Sequence, residues 1–247
     1  YKNIFTAKRS KVIFQNVDDQ EELLNMGFIK KTNTKIIRGS GVDINYFKPI
    51  SDNSNIFDDP IKILFPSRLI KEKGIIETIE ACKILCKEGI RLKLIIAGEI
   101  DYGNRSCLSK DELQKIKDNK MIIIKGFVSN MRSLYADSNI VLLPSWREGL
   151  SKTLIEASAM EKPIITTNVP GCRDVIEHGF NGLLVPPKDI EALYLAIKFM
   201  INNSNLAKKF GKRCRDRVKN NFATKKINNE TLRVYQDCFK SPKRFKK

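Results

Sequence analysis

The chain has 247 residues, 42% of them hydrophobic and 30% charged, with a net charge of +17; this length suffices for a packed core, in one large domain or in one domain plus a fragment. No run of eighteen apolar residues occurs, and the start YKNIFTAKRSK is too polar for a signal peptide, so the sequence predicts neither a transmembrane helix nor a leader. The six cysteines lack zinc-site spacing, so we expect reduced thiols, and because the first residue is Tyr1 we expect a piece of a longer protein.

The N-terminal part contains less pattern than a complete domain needs. VIFQN (residues 12–16) and TKIIRGSGVD (34–43) predict strands, and VDDQEELLNMG (17–27) predicts a capped helix between them. Two strands and one helix cannot enclose a core. Residues 1–42 are therefore predicted to be the end of a truncated domain, separated from the rest by the polar stretch SDNSNIFDDP.

From Ile61 onward, short apolar runs alternate with amphipathic stretches. Strands are predicted at residues 61–66, 92–98, 121–126, 139–144, 163–167 and 182–186. Helices are predicted between them at 74–89, 109–117, 130–137 and 152–160. The strands are almost continuous Ile, Leu and Val, as in a sheet buried on both faces. This alternation predicts an α/β fold with a doubly wound parallel sheet, which binds ligands beyond the carboxyl ends of its strands.

Three more helices are predicted at residues 189–202, 205–220 and 224–239, followed by a short charged tail expected to be disordered. Residues 201–247 hold fifteen Lys or Arg and three acids, which gives +12 of the net +17. A basic helical surface can bind anionic membranes or nucleic acid, or it can simply be solvated. Few aromatic residues lie among these charges, so nucleic-acid binding by base stacking is disfavoured.

The segment PSWREGLSKTLIEASAMEKPIITT carries two carboxylates, Glu148 and Glu156, eight positions apart. The first lies in a loop after a predicted strand, and the second lies within the next helix. Such a loop and helix N-terminus form a phosphate cradle, because the first N–H groups of a helix are unpaired and its dipole attracts anions. Gly149 and Leu150 supply the N–H groups, and Ser151 is the expected N-cap. A carboxylate inside the helix can hold sugar hydroxyls, so the pattern favours a sugar nucleotide.

Blocks in sequence order resemble the donor-binding half of retaining glycosyltransferases of family 4, whose GT-B fold places two Rossmann-like domains across a cleft. The blocks are GVDINYFKP (41–49), RLIKEKG (68–74), the E-x7-E pair and PGCRDVIEHGFNGLLVPP (170–187). Within that family the chain looks most like bacterial enzymes that extend lipid-linked glycans for O-antigen, capsule or protein glycosylation. The resemblance implies an acceptor-domain remnant at 1–42, a Rossmann-like nucleotide-sugar-binding domain at 43–223, and a C-terminal helix with a basic tail at 224–247.

The resemblance implies roles for four charged residues. Arg68 and Lys73 are expected to stabilise the departing diphosphate in place of a metal ion, and the sequence has no Asp-x-Asp pair to hold one. Glu148 is expected to face the donor sugar, as nucleophile or as binding group. Glu156 is expected to hold the ribose, and because its neighbours in sequence are apolar, we expect it to have a partner.

Further residues are assigned to the donor by the same resemblance. A slot for the uracil base is expected from two loops that follow strands, at Gly98, Glu99, Phe127 and Val128. The loop at Gly171, Cys172 and Arg173 is expected beside the donor or the acceptor, although Cys172 equally suits a small packing position. The single histidine, His178, is expected to be incidental.

The implied reaction transfers a hexose or N-acetylhexosamine from a UDP-sugar to a glycan acceptor with retention of configuration. The expected acceptor is linked to undecaprenyl diphosphate at the inner face of the cytoplasmic membrane, where the basic helices would meet anionic lipid; no cofactor or metal is expected. With most of the acceptor domain missing, this chain is expected to bind donor without transferring sugar alone. The alternatives are a non-catalytic nucleotide-sugar-binding module, and a nucleic-acid-binding domain whose affinity falls steeply with salt and ignores UDP.

Overall fold

The structure, a computed structural model, describes residues 10–50, 57 and 59–240. Its N-terminal segment has strand β1 (Val12–Phe14), helix α1 (Val17–Asn25) and strand β2 (Thr34–Ile36), and the two strands pair in parallel. Strand β1 is shorter than predicted because Asn16 is the N-cap of α1, where its side chain accepts from the Asp19 N–H at 2.7 Å. Strand β2 is shorter because the chain turns at Gly39, whose N–H donates to the Ile37 carbonyl at 2.8 Å.

A six-stranded parallel sheet forms the centre of the molecule. Its strands are β3 (Ile61–Phe65), β4 (Leu92–Ala97), β5 (Ile122–Gly126), β6 (Ile140–Leu143), β7 (Ile164–Thr167) and β8 (Leu183–Val185). The helices that connect the first five are α2 (Ile75–Lys87), α3 (Lys110–Lys117), α4 (Met131–Asp137) and α5 (Lys152–Ala159). After β8 follow α6 (Ile190–Asn202), α7 (Ser204–Asn221) and α8 (Thr224–Lys240). The predicted α/β fold is confirmed.

Strand residues alternate between two hydrophobic cores, one on each face of the sheet. In β3, Ile63 and Phe65 belong to the core that α2, α3, α6 and the first half of α7 cover, whereas Leu64 belongs to the core that α4, α5 and the second half of α7 cover. All three side chains are fully buried. Successive side chains of a strand point to opposite faces, so a strand between two layers of helices must be apolar at every position.

The strand order is β5-β4-β3-β6-β7-β8, so the order in which strands are added reverses at the junction of β3 and β6. The chain builds outward from β3 through β4 to β5, and then returns to β6 and builds outward on the other side. The loops after β3 and β6 therefore leave the sheet in opposite directions. A crevice opens between them at the carboxyl ends of the strands, where open α/β sheets bind ligands.

Helix α8 returns from the main sheet to the N-terminal segment. Its Ile227 and Val234 are buried against Ile37, just after β2. The chain after β2 is also bonded to the chain just before α8, because the Val42 N–H donates to the Phe222 carbonyl at 2.9 Å. The predicted disordered tail at 241–247 lies outside the described residues, and so does most of the polar stretch at 51–60.

Candidate functional site

The loops after β3 and β6 bring two of the predicted catalytic side chains together. Lys73 ends the single helical turn Lys71–Lys73, and its Nζ lies 2.5 Å from Oε1 of Glu148. The Ser145 hydroxyl donates to the same Oε1 at 2.8 Å. Both charged side chains are largely buried, with 17% of Lys73 and 12% of Glu148 exposed. An ion pair this sheltered is screened little by solvent and has a fixed geometry.

Two glycines allow the loops around this ion pair to touch at their backbones. A Cβ on Gly74 would lie 2.2 Å from the Pro144 carbonyl oxygen, and Gly74 has φ 76°. A Cβ on Gly171, which also has φ 76°, would lie 2.7 Å from the Glu148 carbonyl oxygen. Only glycine combines this conformation with this approach. The loops after β3, β6 and β7 are thus fixed against one another around Glu148.

A cavity of ≈ 460 Å³ opens beside Arg68, at the ends of β3, β4 and β5. All the residues predicted for a base slot line it, namely Gly98, Glu99, Phe127 and Val128. Glu99 is exposed, and Phe127 leaves 75% of its surface exposed at the rim. An exposed aromatic ring beside an apolar wall is a suitable surface for a planar heterocycle.

Asp101 is a residue of this cavity that the sequence did not reveal. Its Oδ2 accepts from Nη1 of Arg68 at 2.5 Å, and 56% of the Arg68 side chain is exposed. An anion that reaches Arg68 therefore competes with a carboxylate already there. No sequence pattern signals this contact, because the two residues are 33 positions apart on different loops.

Glu156 is held within α5 by a tyrosine and a lysine. The hydroxyl of the fully buried Tyr135 donates to Oε2 of Glu156 at 3.2 Å, and Lys152 Nζ lies 3.7 Å from Oε1. Burial raises the pKa of the Glu156 carboxyl, and the positive charge of Lys152 opposes that rise. The expected partner is therefore present, and Ser151 caps the helix as predicted by accepting from the Leu154 N–H at 3.4 Å.

The N-terminal segment contacts the predicted phosphate cradle directly. The side-chain amide of Asn16, which is fully buried, donates to the Gly149 carbonyl at 2.8 Å. The side chain of Leu150 lies against Gly39. The N-terminal segment therefore supports the loop that leads into α5, a role that the sequence did not indicate.

In the loop after β7, Gly171 contacts the loop at Glu148, whereas Cys172 and Arg173 make other contacts. Arg173 forms an ion pair with Asp18 of α1. Cys172 is fully buried, and burial raises the pKa of its thiol to about 11. Cys172 therefore takes the packing role left open by the sequence. His178 is exposed, and its Nδ1 accepts from the Leu184 N–H at 3.0 Å.

The described part of the chain contains neither a metal-binding cluster nor a membrane-spanning helix. Within residues 10–50, 57 and 59–240 no cluster of three or more His, Cys, Asp or Glu side chains could hold a metal ion. Over the same residues, no helix combines the length and the hydropathy needed to cross a membrane.

The sequence model of the family described as "Glycosyl transferases group 1" matches residues 47–217. This chain belongs to that family. The capsular polysaccharide biosynthesis glycosyltransferase CapM of Staphylococcus aureus is 30% identical over 244 residues, which cover 96% of this chain and 61% of CapM. The N,N'-diacetylbacillosaminyl-diphospho-undecaprenol alpha-1,3-N-acetylgalactosaminyltransferase of Campylobacter jejuni is 26% identical over 204 residues, 78% of this chain and 52% of that enzyme.

The fold matches that of solved glycosyltransferase structures with the GT-B fold. The crystal structure of Anabaena Alr3699/HepE in complex with UDP and glucose has a TM-score of 0.81 at 22% identity and covers 92% of this chain and 63% of that one. The chain thus spans about three-fifths of CapM and half of the Campylobacter enzyme. The predicted membership of a glycosyltransferase family is confirmed, and the matched range 47–217 contains every residue predicted for the site.

Proposed function

We propose that this chain is the donor-binding portion of a retaining glycosyltransferase of family 4 that uses a UDP-sugar. The observation that carries the proposal is the Lys73–Glu148 ion pair at the junction of β3 and β6, where the strand order reverses. The loop after β3 that carries Lys73 also carries Arg68, which lines the cavity. The pair places a cation and an anion where a diphosphate and a sugar would meet. The UDP complex of the Anabaena protein of like fold supports uracil as the base.

The proposed chemistry follows from the charges that develop during transfer. Breaking the bond between the anomeric carbon and the diphosphate oxygen leaves negative charge on the diphosphate and positive charge on the sugar. Lys73 and Arg68 stabilise the first charge, and no metal ion is required of the protein. The Glu148 carboxylate stabilises the second, either by forming a bond to the anomeric carbon or by its charge alone. In the first role the carboxylate bonds to the face opposite the departing diphosphate, and the acceptor hydroxyl then displaces it, so that two inversions give net retention.

The proposed nucleotide lies across the carboxyl ends of the strands. The base lies in the cavity against Phe127 and Val128, where backbone groups of Gly98 and Glu99 read its edge. The ribose hydroxyls reach the Glu156 carboxylate. The phosphates lie at the N-terminus of α5, near the N–H groups of Gly149 and Leu150, where the helix dipole favours an anion.

The test is a calorimetric comparison of UDP, GDP, ADP and UDP-sugars with this chain. We expect UDP and one UDP-sugar to bind with Kd values well below those of GDP and ADP. A nucleic-acid-binding domain would instead ignore all four and bind polynucleotide with a steep salt dependence. A non-catalytic module would bind UDP, yet show no sugar transfer in a full-length protein supplied with acceptor.

Arg68→Ala should weaken the binding of UDP about tenfold and leave uridine binding unchanged, because Arg68 is proposed to contact the diphosphate with a charged hydrogen bond. Asp101→Asn should strengthen UDP binding a few-fold, since it removes the carboxylate that competes for Arg68. Calorimetry of both variants with UDP and uridine checks the pair. Equal losses for UDP and uridine in Arg68→Ala would contradict the diphosphate role.

For the acceptor, we propose a glycan linked to undecaprenyl diphosphate at the inner face of the cytoplasmic membrane. The name of the Campylobacter relative, which contains diphospho-undecaprenol, supports this class of acceptor. The C-terminal helices present a surface that fits anionic lipid. Its basic members are Lys209, Lys212, Lys225 and Arg233, all exposed. Helix α8 also carries three exposed apolar side chains spaced by one turn, Leu232, Tyr235 and Phe239.

Replacing Lys209, Lys212 and Arg233 by serine should reduce binding to vesicles that contain anionic lipid by about tenfold or more, since each basic side chain near such a surface is worth about 1 kcal/mol. Co-sedimentation with the vesicles measures the change. The matched control replaces Lys110, Lys115 and Lys117 of α3 by serine, which removes three positive charges from a helix beside the edge strand β5. Equal losses in both variants would mean that net charge alone drives binding, and the proposed surface would be wrong.

A further inference from the structure

Trp146, the single tryptophan of the chain, lies two residues before Glu148 and is bonded twice to the segment that carries Lys73. Its backbone N–H donates to the Glu72 carbonyl at 2.8 Å. Its indole Nε1–H donates to Oε1 of Glu77 in α2, also at 2.8 Å. The two acceptor residues, Glu72 and Glu77, lie one residue before and four residues after Lys73. The two loops whose charged side chains form the central ion pair are thus connected a second and a third time, at Trp146.

The Glu77 carboxylate is unusual because it is buried and only half satisfied. The residue is 6% exposed, and within the described structure its Oε2 has no hydrogen-bond partner. Burial of a carboxylate with an unpaired oxygen costs free energy. A glutamate that only filled space could be replaced by an apolar residue at no such cost. The specific feature that Glu77 provides is an acceptor for the indole N–H.

A third contact fixes the other side of the indole. The Lys188 ammonium, from the loop between β8 and α6, lies 4.2 Å from the centre of the Trp146 ring. Lys188 has φ 64°, a left-handed conformation that is unfavourable for any residue with a Cβ. Trp146 is therefore held at its backbone, at its indole nitrogen and over its ring face, by two segments of the chain, the one around Lys73 and the one at Lys188.

We propose that Trp146 and Glu77 are positioning residues for Glu148. The bond from the Trp146 backbone sets the loop opposite Glu72, so that two residues later Glu148 meets Lys73. The bond from the indole to Glu77 prevents the loop from rotating away from α2. The pair acts through Glu148 and Lys73 on the diphosphate and sugar, and contacts neither. This inference rests on the proposed function of the site.

The test compares three variants by calorimetry with UDP and with uridine. Trp146→Phe and Glu77→Met each remove the indole hydrogen bond and should raise the Kd for UDP about fivefold, the effect of one net hydrogen bond. Glu77→Gln keeps a carbonyl acceptor of the same length and should stay within about twofold of the unsubstituted chain. Uridine affinity should not change in any variant, because most of the lining of the cavity at Phe127 comes from the loops after β4 and β5. The double variant Trp146→Phe/Glu77→Met should lose no more than either single variant.

Tryptophan fluorescence provides a second measurement, because Trp146 is the single tryptophan of the chain. Its time-resolved anisotropy should show faster indole motion in Glu77→Met and the original motion in Glu77→Gln. Unchanged UDP affinity in both Trp146→Phe and Glu77→Met, or equal losses for UDP and uridine, would overturn the positioning role while leaving the donor site intact. Failure of the unsubstituted chain to bind UDP would instead overturn the proposed function, and the positioning role with it.

Discussion

Glu156→Gln should weaken the binding of UDP about tenfold or more and, at neutral pH, raise the melting temperature of the chain without ligand. The loss of affinity is expected because a carboxylate that accepts from the two ribose hydroxyls contributes charged hydrogen bonds, which an amide replaces poorly. Calorimetry with UDP measures it. The gain in stability is expected because Glu156 is largely buried and its charge is only partly compensated by Lys152.

The pH dependence of the stability gain has a definite sign. Burial raises the pKa of Glu156 above the value it has in the unfolded chain, so the folded chain holds this proton more tightly. The free energy of unfolding therefore falls as the pH rises from below the unfolded pKa through the folded pKa. The advantage of Glu156→Gln is complete above the folded pKa and disappears below the ordinary glutamate pKa of about 4.3.

Glu80→Gln is the matched control for this prediction. Glu80 is also a helical glutamate near a lysine, but 43% of its side chain is exposed. Its replacement should leave both UDP affinity and melting temperature nearly unchanged, since exposed ion pairs contribute little. If Glu156→Gln bound UDP as tightly as the unsubstituted chain, Glu156 would not hold the ribose. If the melting temperature of Glu156→Gln at neutral pH were lower than that of the unsubstituted chain, burial of the Glu156 charge would not be destabilising.

Gly74→Ala should lower the free energy of unfolding by about 3–5 kcal/mol, which combines the cost of a left-handed alanine with that of overpacking. The added Cβ would lie 2.2 Å from the Pro144 carbonyl, which is backbone and cannot rotate away. The loops after β3 and β6 would have to separate at the point that brings Lys73 to Glu148. UDP binding should therefore weaken as well, under conditions in which the variant remains folded. Urea unfolding and calorimetry measure the two effects.

Gly89→Ala provides a control with the same backbone conformation and no contact. Gly89, which follows α2, has φ 89°, but a Cβ there would meet no atom within 4 Å. Its replacement should cost only about 1–2 kcal/mol for the left-handed conformation and leave UDP binding unchanged. If the two alanine variants were equally destabilised, the close approach of the loops at Gly74 would have no energetic weight.

The sheet could be predicted because burial on both faces leaves a clear pattern in a single sequence. The runs around Ile63, Ile95 and Leu142 are apolar at consecutive positions, as a central parallel strand requires. The N-terminal strands were predicted too long because their ends depend on local hydrogen bonds of Asn16 and Gly39, which compete with strand pairing.

The residues of the candidate site could be predicted where they follow strands, since all parallel strands end at one edge of the sheet. This rule placed Arg68, Gly98, Phe127 and Glu148 at the same edge. It could not identify the partners that come from helices and distant loops. Trp146 and Glu77 are 69 positions apart, and Tyr135 and Glu156 are 21 apart. Nothing in the types or the spacing of these residues signals a contact.

Charge composition was also a coarse guide, because the basic residues near the C-terminus have different environments. Arg215 of α7 donates to the carbonyls of Phe47 and Ile44, and so connects the helix to the stretch of chain that follows the N-terminal segment. Arg217 donates to the Asp174 carbonyl at 3.1 Å. These two side chains stabilise the fold, whereas Lys209 and Lys212 of the same helix are exposed. A count of charges cannot separate the two groups.

The buried amide of Asn16 makes the N-terminal segment and the loop at Gly149 mechanically dependent on each other. One end of the amide caps α1 and the other holds the Gly149 carbonyl. A displacement of α1 therefore strains the loop, and a displacement of the loop strains α1. By thermodynamic linkage, a ligand that favours one arrangement of the loop favours the matching arrangement of α1 to the same extent. Whatever else α1 packs against thus influences the position of the loop, and with it the affinity for phosphate that we propose for the loop.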